Sequence, residues 1–258
     1  MSSDDWPEVR LGDLGRIVTG RTPLGTKPEF FDGDIPFITP TDMTGCREVE
    51  HPGRCLSSAG AAALRSVLVP RGVAVSCIGW QMGKSLLIKR QSATNQQINT
   101  VVPDEGAVDL EFLYYALSAR RSEIFALGAG GSRTPILNKS GFSSLVLRLP
   151  PLSEQRRIAG ILESLDDRIE LNRRMNRTLE SIARAVFTSW FVDFDPVRKK
   201  MEGGEVGLPP DLASLFPGGF EPSPLGPIPE GWRVSSPWWA VSSRYRRRVG
   251  RGLLSRPH

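Results

Sequence analysis

From Ile158 to Trp190 the apolar or Asn positions recur at alternating steps of four and three: Ile158, Leu162, Leu165, Ile169, Asn172, Asn176, Leu179, Ala183, Val186 and Trp190. That spacing is a heptad seam and predicts one continuous helix, with no Pro inside it and no Gly after Gly160. At 1.5 Å of rise per residue the rod is roughly 50 Å long. A narrow apolar stripe on so long a helix calls for another helix to cover it. Asn172 and Asn176 lie symmetrically about residue 174. An antiparallel copy would set Asn172 against Asn176 of its mate, whereas a parallel copy would set each Asn against itself. The symmetry favours the antiparallel arrangement, because both amides then pair at one central layer. The competing reading packs the helix on its own domain's core with the Asn residues at the solvent edge. Ile161, Met175 and Ile182 add a second apolar row, and Phe187, Phe191 and Phe194 widen the face near the end, so more than one neighbour is expected.

Ahead of the rod, residues 6–150 read as one globular α+β domain. Asp34–Thr39, Val73–Ile78 and Ser85–Ile88 have strand character, punctuated by Gly and Pro. Leu110–Leu127 reads as a helix and Ser143–Leu149 as a closing strand. Pro150-Pro151 breaks the chain, after which Ser153 can cap the long helix and Glu154 suits its first turn. The helical segment is placed at 152–195. Residues 196–231 are dense in Pro and Gly and read as a partly extended linker. Its end, Pro229-Glu230-Gly231-Trp232-Arg233-Val234, repeats the character of Trp6-Pro7-Glu8-Val9-Arg10. Residues 232–258 therefore look like the start of a second globular domain that does not develop.

Charge changes this picture in one respect. The chain carries a net +5, yet residues 235–258 hold six arginines and no acidic residue; removing them leaves residues 1–234 at −1. The basic character belongs to the tail, so a nucleic-acid argument must rest on local surfaces of the body. The tail reads either as an off-frame translation or as a basic arm that grips phosphates. No apolar run approaches the ~18 residues of a membrane span, and the acidic N-terminus lacks a signal-peptide core. Three cysteines without CxxC spacing suit a reduced, cytoplasmic protein.

Catalytic patterns fail one by one. Gly79-Trp80-Gln81-Met82-Gly83-Lys84-Ser85 resembles a phosphate loop but has three residues between its glycines instead of four; a tight hairpin carrying Gln81 and Lys84 outward fits better. Gly128-Ala129-Gly130-Gly131-Ser132-Arg133 lacks the third glycine of a dinucleotide fingerprint; it reads as a flexible loop or as backbone and Arg133 near a phosphate. Cys46, His51 and Cys55 are too few and too widely spaced for a structural metal site. Asp193 and Asp195 read as a helix terminus. With only His51 and His258 present, no Ser-His-Asp set is credible. Pro209-Pro210 is followed by Asp211 and not by the aromatic residue of a base-methyltransferase tetrad. No metal, no cofactor and no catalysis are expected of this chain.

The positive signal is a set of loop side chains suited to base edges. Asn95, Gln96 and Gln97 lead it, since Asn and Gln can make paired hydrogen bonds to adenine. Arg21 with Thr22, Thr39 with Thr41, Gln81 with Lys84, and Arg133 join them. Against this stands the general tendency of loop Asn and Gln to bond backbone instead.

Taken in order, these segments resemble the specificity subunit of type I restriction–modification enzymes. The resemblance is carried by Leu11-Gly12-Asp13 with Gly20-Arg21-Thr22-Pro23, by Gly33–Thr39 with Asp42, and by Asn95-Gln96-Gln97-Ile98. It continues through Leu149-Pro150-Pro151-Leu152-Ser153-Glu154-Gln155 with Ile158-Ala159 and Ile161-Leu162, and closes on Leu179–Ala183 and Trp190–Phe194. The resemblance implies a target recognition domain that reads double-stranded DNA, followed by a spacer helix that pairs antiparallel. It implies a non-catalytic protein that directs methyltransferase and restriction subunits, with S-adenosylmethionine and ATP/Mg on those partners. The family pattern has two recognition domains and two helices; this sequence shows one of each. The expectation is a half-length subunit that self-associates through its helix, or else a methyltransferase-binding scaffold that reads no DNA.

Overall fold

The computed structural model of the chain describes residues 6–23, 27–129 and 134–234. The chain divides into two compact units, Met1–Glu170 and Leu171–His258.

The first unit opens on β1 (Glu8–Arg10), β2 (Gly15–Thr19), β3 (Phe31–Ile38), β4 (Cys55–Leu56), helix α1 (Ser58–Ala63), β5 (Gly72–Ser76), β6 (Ser85–Ile88), β7 (Ala93–Thr94) and β8 (Ile98–Pro103). Helices α2 (Leu110–Ala119), α3 (Arg121–Gly128) and α4 (Lys139–Ser143) follow, then β9 (Val146–Arg148) and the long helix α5, Leu152–Phe191, whose residues from Leu171 belong to the second unit. The main sheet is antiparallel in the order β2-β8-β5-β6. Period-two alternation in strands sends Val73, Val75, Leu87, Val101 and Ile17 to one face. There they pack with Leu110, Leu113 and Leu117 of α2 and with Phe142. Ala74, Leu86, Ile88, Ile98 and Val18 turn to the other face, against Ile38, Met43 and Val69. Burial on both faces explains why β5 reads as an unbroken apolar run. A three-stranded sheet β4-β3-β7 lies in the same unit, with β7 parallel to β3, and β1 pairs with β9.

The expected helix over Leu110–Leu127 is two helices, parted at Arg120. The break turns α3 so that Ile124 reaches the core and Phe125 stacks on Trp80. The long helix begins one residue before the expected cap, so Ser153 lies inside it. Its start is held by the Pro151 carbonyl, which accepts from Glu154 and Gln155 backbone N–H groups at 2.9 and 3.0 Å. Gln155, 1% exposed, is the anchor: its Oε1 accepts from Asp109 N at 2.8 Å and its Nε2 donates to Pro150 O at 2.8 Å.

The second unit corrects the linker expectation for residues 196–231. It contains α6 (Asp195–Met201), α7 (Pro210–Ala213) and the antiparallel pair β10 (Phe220–Glu221) and β11 (Ile228–Pro229). Pro and Gly punctuate short elements here instead of keeping the chain extended. Phe194 takes a left-handed conformation, φ 57°, between α5 and α6. Around the end of α5 an aromatic cluster forms: Phe216 meets Trp190 edge-on at 5.6 Å, Trp232 stacks on Phe191 at 5.9 Å, and Phe220 meets Phe194 at 5.9 Å. Trp232, expected to open a second domain, packs in this cluster. Residues 235–258 lie outside the described residues.

Candidate nucleic-acid interface

Strand polarity gathers the candidate reading residues at one edge. Thr19, at the end of β2, pairs with Asn99 near the start of β8, and Ser76, at the end of β5, pairs with Ile98. The parallel pairing of β3 with β7 brings Ile38 beside Thr94, and Asn95 N donates to Ile38 O at 3.0 Å. The segments that continue from these ends, residues 20–23, 39–43, 77–84 and 95–97, therefore emerge together. Gly20 lets two of them touch. A Cβ there would sit 2.2 Å from Asn95 O and 2.4 Å from Thr94 O, which leaves no room for any other residue.

Within this edge the side chains divide. Gln96 is exposed and its Oε1 accepts from Thr22 Oγ1 at 2.7 Å. Arg21 is exposed, with its backbone N–H on Thr94 O at 2.8 Å. Thr41 is exposed beside the Thr39 hydroxyl. Asn95, by contrast, is 9% exposed. Its Nδ2 donates to Gln97 Oε1 at 3.0 Å, and its Oδ1 accepts from Gln97 N at 3.1 Å. Thr39 closes a capping box with Asp42 at the 3-10 turn Pro40–Asp42. These residues hold loops in place.

The hairpin over residues 77–84 forms as expected, with Gly83 N on Ser76 O at 2.8 Å. Its polar side chains do not point outward as expected. Lys84 is half-buried and donates to Met43 O at 2.9 Å; Gln81 has its Oε1 buried without a hydrogen bond. A carbonyl at 2.9 Å outcompetes solvent once the lysine stem is covered. Arg133 lies outside the described residues. Among the described residues no group of His, Cys, Asp and Glu could hold a metal ion.

Sequence reading passed over a second cluster. Arg47 lies 3.1 Å from Asp167 and 3.4 Å from Glu163 on α5, 3.6 Å from Glu48, and 3.5 Å from the Tyr115 hydroxyl. Tyr115 in turn donates to Asp166 at 2.9 Å. Burial alone would lower the Arg47 pKa; the phenol and the carboxylates Glu163 and Asp167 outweigh it and raise it. Burial pushes the Tyr115 phenol up to about 12, against the pull of Arg47. Arg47 also ties the strand edge to the helix, since its carbonyl accepts from Leu87 N at 2.8 Å. The only sequence signal was a lone Arg beside a Glu, with partners about 70 to 120 residues away.

The seam of α5 is used in three ways. Ile158 and Leu162 are half-buried and, with Trp6, Phe112, Tyr115 and Val146, line a groove of about 640 Å³. Leu165, Ile169, Leu179 and Val186 are 37 to 58% exposed, and Asn172, Asn176 and Ala183 are exposed too. Trp190 joins the aromatic cluster. The helix therefore does not lie on a core over residues 171–188, each of which is exposed.

The model of the type I restriction modification DNA specificity domain matches residues 3–181. The chain belongs to that family. It is 30% identical over 227 residues to the Type I restriction enzyme MjaIX specificity subunit of Methanocaldococcus jannaschii, covering 87% of this chain and 51% of that relative. To the Type I restriction enzyme HindI specificity subunit of Haemophilus influenzae it is 30% identical over 219 residues, covering 82% and 46%. The chain thus spans about half the length of the curated relatives it matches. A chain in a structure of complex assembly and conformational transition of the type I R-M system superposes with a TM-score of 0.51 at 19% identity, over 70% of this chain and 43% of that one. This family membership agrees with an α+β domain followed by a spacer helix, and it supports a role in DNA sequence specificity. No helix among the described residues is long and apolar enough to cross a membrane.

Proposed function

We propose that this chain is a non-catalytic DNA-reading subunit. The edge bearing Arg21, Thr22, Thr41 and Gln96 reads one half of an interrupted duplex target. The open seam of α5 pairs antiparallel with a second copy, and the assembly directs cytoplasmic methyltransferase and restriction subunits to the site. The methyl donor S-adenosylmethionine, and ATP with Mg for restriction, belong to those partners. The observation that carries this reading is the convergence of four strand ends on one polar edge, in a family of specificity domains. A scaffold that binds methyltransferase without reading DNA is the second reading. It is favoured by the bonding of Asn95, Thr39 and Lys84 within the fold.

Co-expression with a type I methyltransferase subunit, followed by sequencing of modified bases, separates the two. A two-fold symmetric, interrupted methylated motif that disappears with Gln96→Ala or changes at defined positions is the expected result. No modified motif, with the complex nevertheless assembled, would establish the scaffold reading instead.

A further inference from the structure

Trp80 is the largest side chain on the strand-end edge. It is 78% exposed, an unusual position for an indole. It is nevertheless held. The hairpin that carries it is fixed by Gly83 N on Ser76 O, Ser76 N on Lys84 O and Gly79 N on Pro135 O, at 2.8 to 2.9 Å. Met82 roots the tip in the core at 0% exposure. Gly83 has φ +82°, and a Cβ there would lie 2.6 Å from Arg121 O, so the hairpin turns tightly against α3. From α3, Phe125 stacks on the indole at 6.1 Å with 29° between the planes. One aromatic thus braces another that projects from the edge where Gln96 and Arg21 emerge.

The chemistry around this ring points to its occupant. Residues 19–22, 39–43, 77–84 and 94–98 include Arg21 and Lys84 and a single carboxylate, Asp42, which already accepts from Thr39 N, Thr39 Oγ1 and Gly53 N. An exposed, braced aromatic plane among hydrogen-bonding side chains, with the edge's one carboxylate engaged inside the fold, suits a nucleobase. Bases stack on aromatic side chains whatever their sequence, and apolar wedges enter duplexes at base steps and kink them. From this geometry we propose that Trp80 is a DNA-contact residue whose indole stacks on a base at one step of the bound duplex. It adds affinity where Gln96 adds discrimination. The proposal rests on the reading of this edge as a DNA interface. Ile136, half exposed and bridged to Ile78, makes a protein contact the alternative outcome.

The test uses the full chain purified with its methyltransferase subunit and two fluorescent duplexes, one with the methylated motif and one without. Anisotropy titrations compare wild type with Trp80→Ala, Trp80→Leu, Trp80→Phe and Gln96→Ala. Trp80→Ala and Trp80→Leu should weaken binding to both duplexes by about tenfold, the scale of one lost base stack, while Trp80→Phe keeps most of the affinity. Gln96→Ala should shrink the gap between the duplexes. 2-Aminopurine placed in turn along the half-site should change its emission at one position with wild type, quenched where the indole stacks on it, and not with Trp80→Leu. Wild-type affinity in Trp80→Ala overturns the proposal, as does normal DNA binding by the variant chain with loss of methyltransferase capture. If wild type itself binds neither duplex, the DNA reading of the whole edge falls, a result distinct from either.

Discussion

Ile158 and Leu162 sit half-buried beside Phe112 and Tyr115, whereas Leu165, Ile169, Leu179 and Val186, on the same heptad seam, keep 37 to 58% of their surface exposed. The difference comes from neighbours, since the residue types are alike. At the start of α5, Gln155 is buried in a ring of backbone partners, and the acids Glu163, Asp166 and Asp167 meet Arg47 and Tyr115. Those polar contacts fix the helix to its domain and bring the first seam residues down with it. Residues 171–188 are each exposed, and the proposed pairing would cover their stripe with a second helix. Residue type alone therefore does not decide how much of a heptad seam its own domain buries; the polar contacts at the start of α5 do.

Removing the clamp should give the largest effect. Gln155→Ala leaves the Asp109 N–H and the Pro150 carbonyl without their partner. A buried orphan costs about 1–3 kcal/mol; with the Asp109 N–H only part-buried, the variant should lose about 2–4 kcal/mol in urea unfolding. A loss below about 1 kcal/mol would mean that packing alone seats the helix and that the buried amide is incidental.

The seam should behave in the opposite way. Leu179 is 58% exposed, so Leu179→Glu should change the stability of the isolated chain by no more than about 0.5 kcal/mol. It should, however, abolish self-association in sedimentation velocity, because a charge in a heptad core opposes pairing. Equal sedimentation of wild type and variant as monomers at micromolar concentration would sink the paired-helix proposal. Asn172→Leu with Asn176→Leu sharpens the comparison: pairing should persist with looser orientation, since polar seam residues specify register.

The rod was legible in the sequence because its signal is periodic and local: ten positions in strict alternation need no tertiary knowledge. Much of β3, β5 and β6 was legible for the same reason. The edge was only partly so. Asn95 and Gln96 are adjacent and chemically alike, yet one faces inward to bond Gln97 and the other outward to meet Thr22. Lys84 could not be distinguished from a free cation until the carbonyl of Met43, 41 residues away, came within reach. Residues 196–231 misled for a further reason. Proline and glycine density signals broken regular structure, and Phe216, Phe220 and Trp232 supply a small aromatic core that needs no long elements.

Cys77 extends the contrast between buried and open groups to pH. The thiol is 2% exposed, and burial pushes its pKa up to about 11, with Asn99 pulling the other way. An unfolded thiol titrates near 8.5. The folded chain therefore keeps a proton that the unfolded chain releases, and stability is present below about pH 8.5 and lost as pH rises toward 11. Between about pH 7.5 and 9 the loss should be just under 1 kcal/mol in urea unfolding. Tyr115, raised to about 12, titrates above this window in both states and does not confuse it. Cys77→Ala should lower stability more at pH 7.5 than at pH 9, by just under 1 kcal/mol, and so flatten the slope between them. An unchanged slope in the variant would show that another group carries the pH dependence and that the Cys77 thiol is not the proton-retaining site.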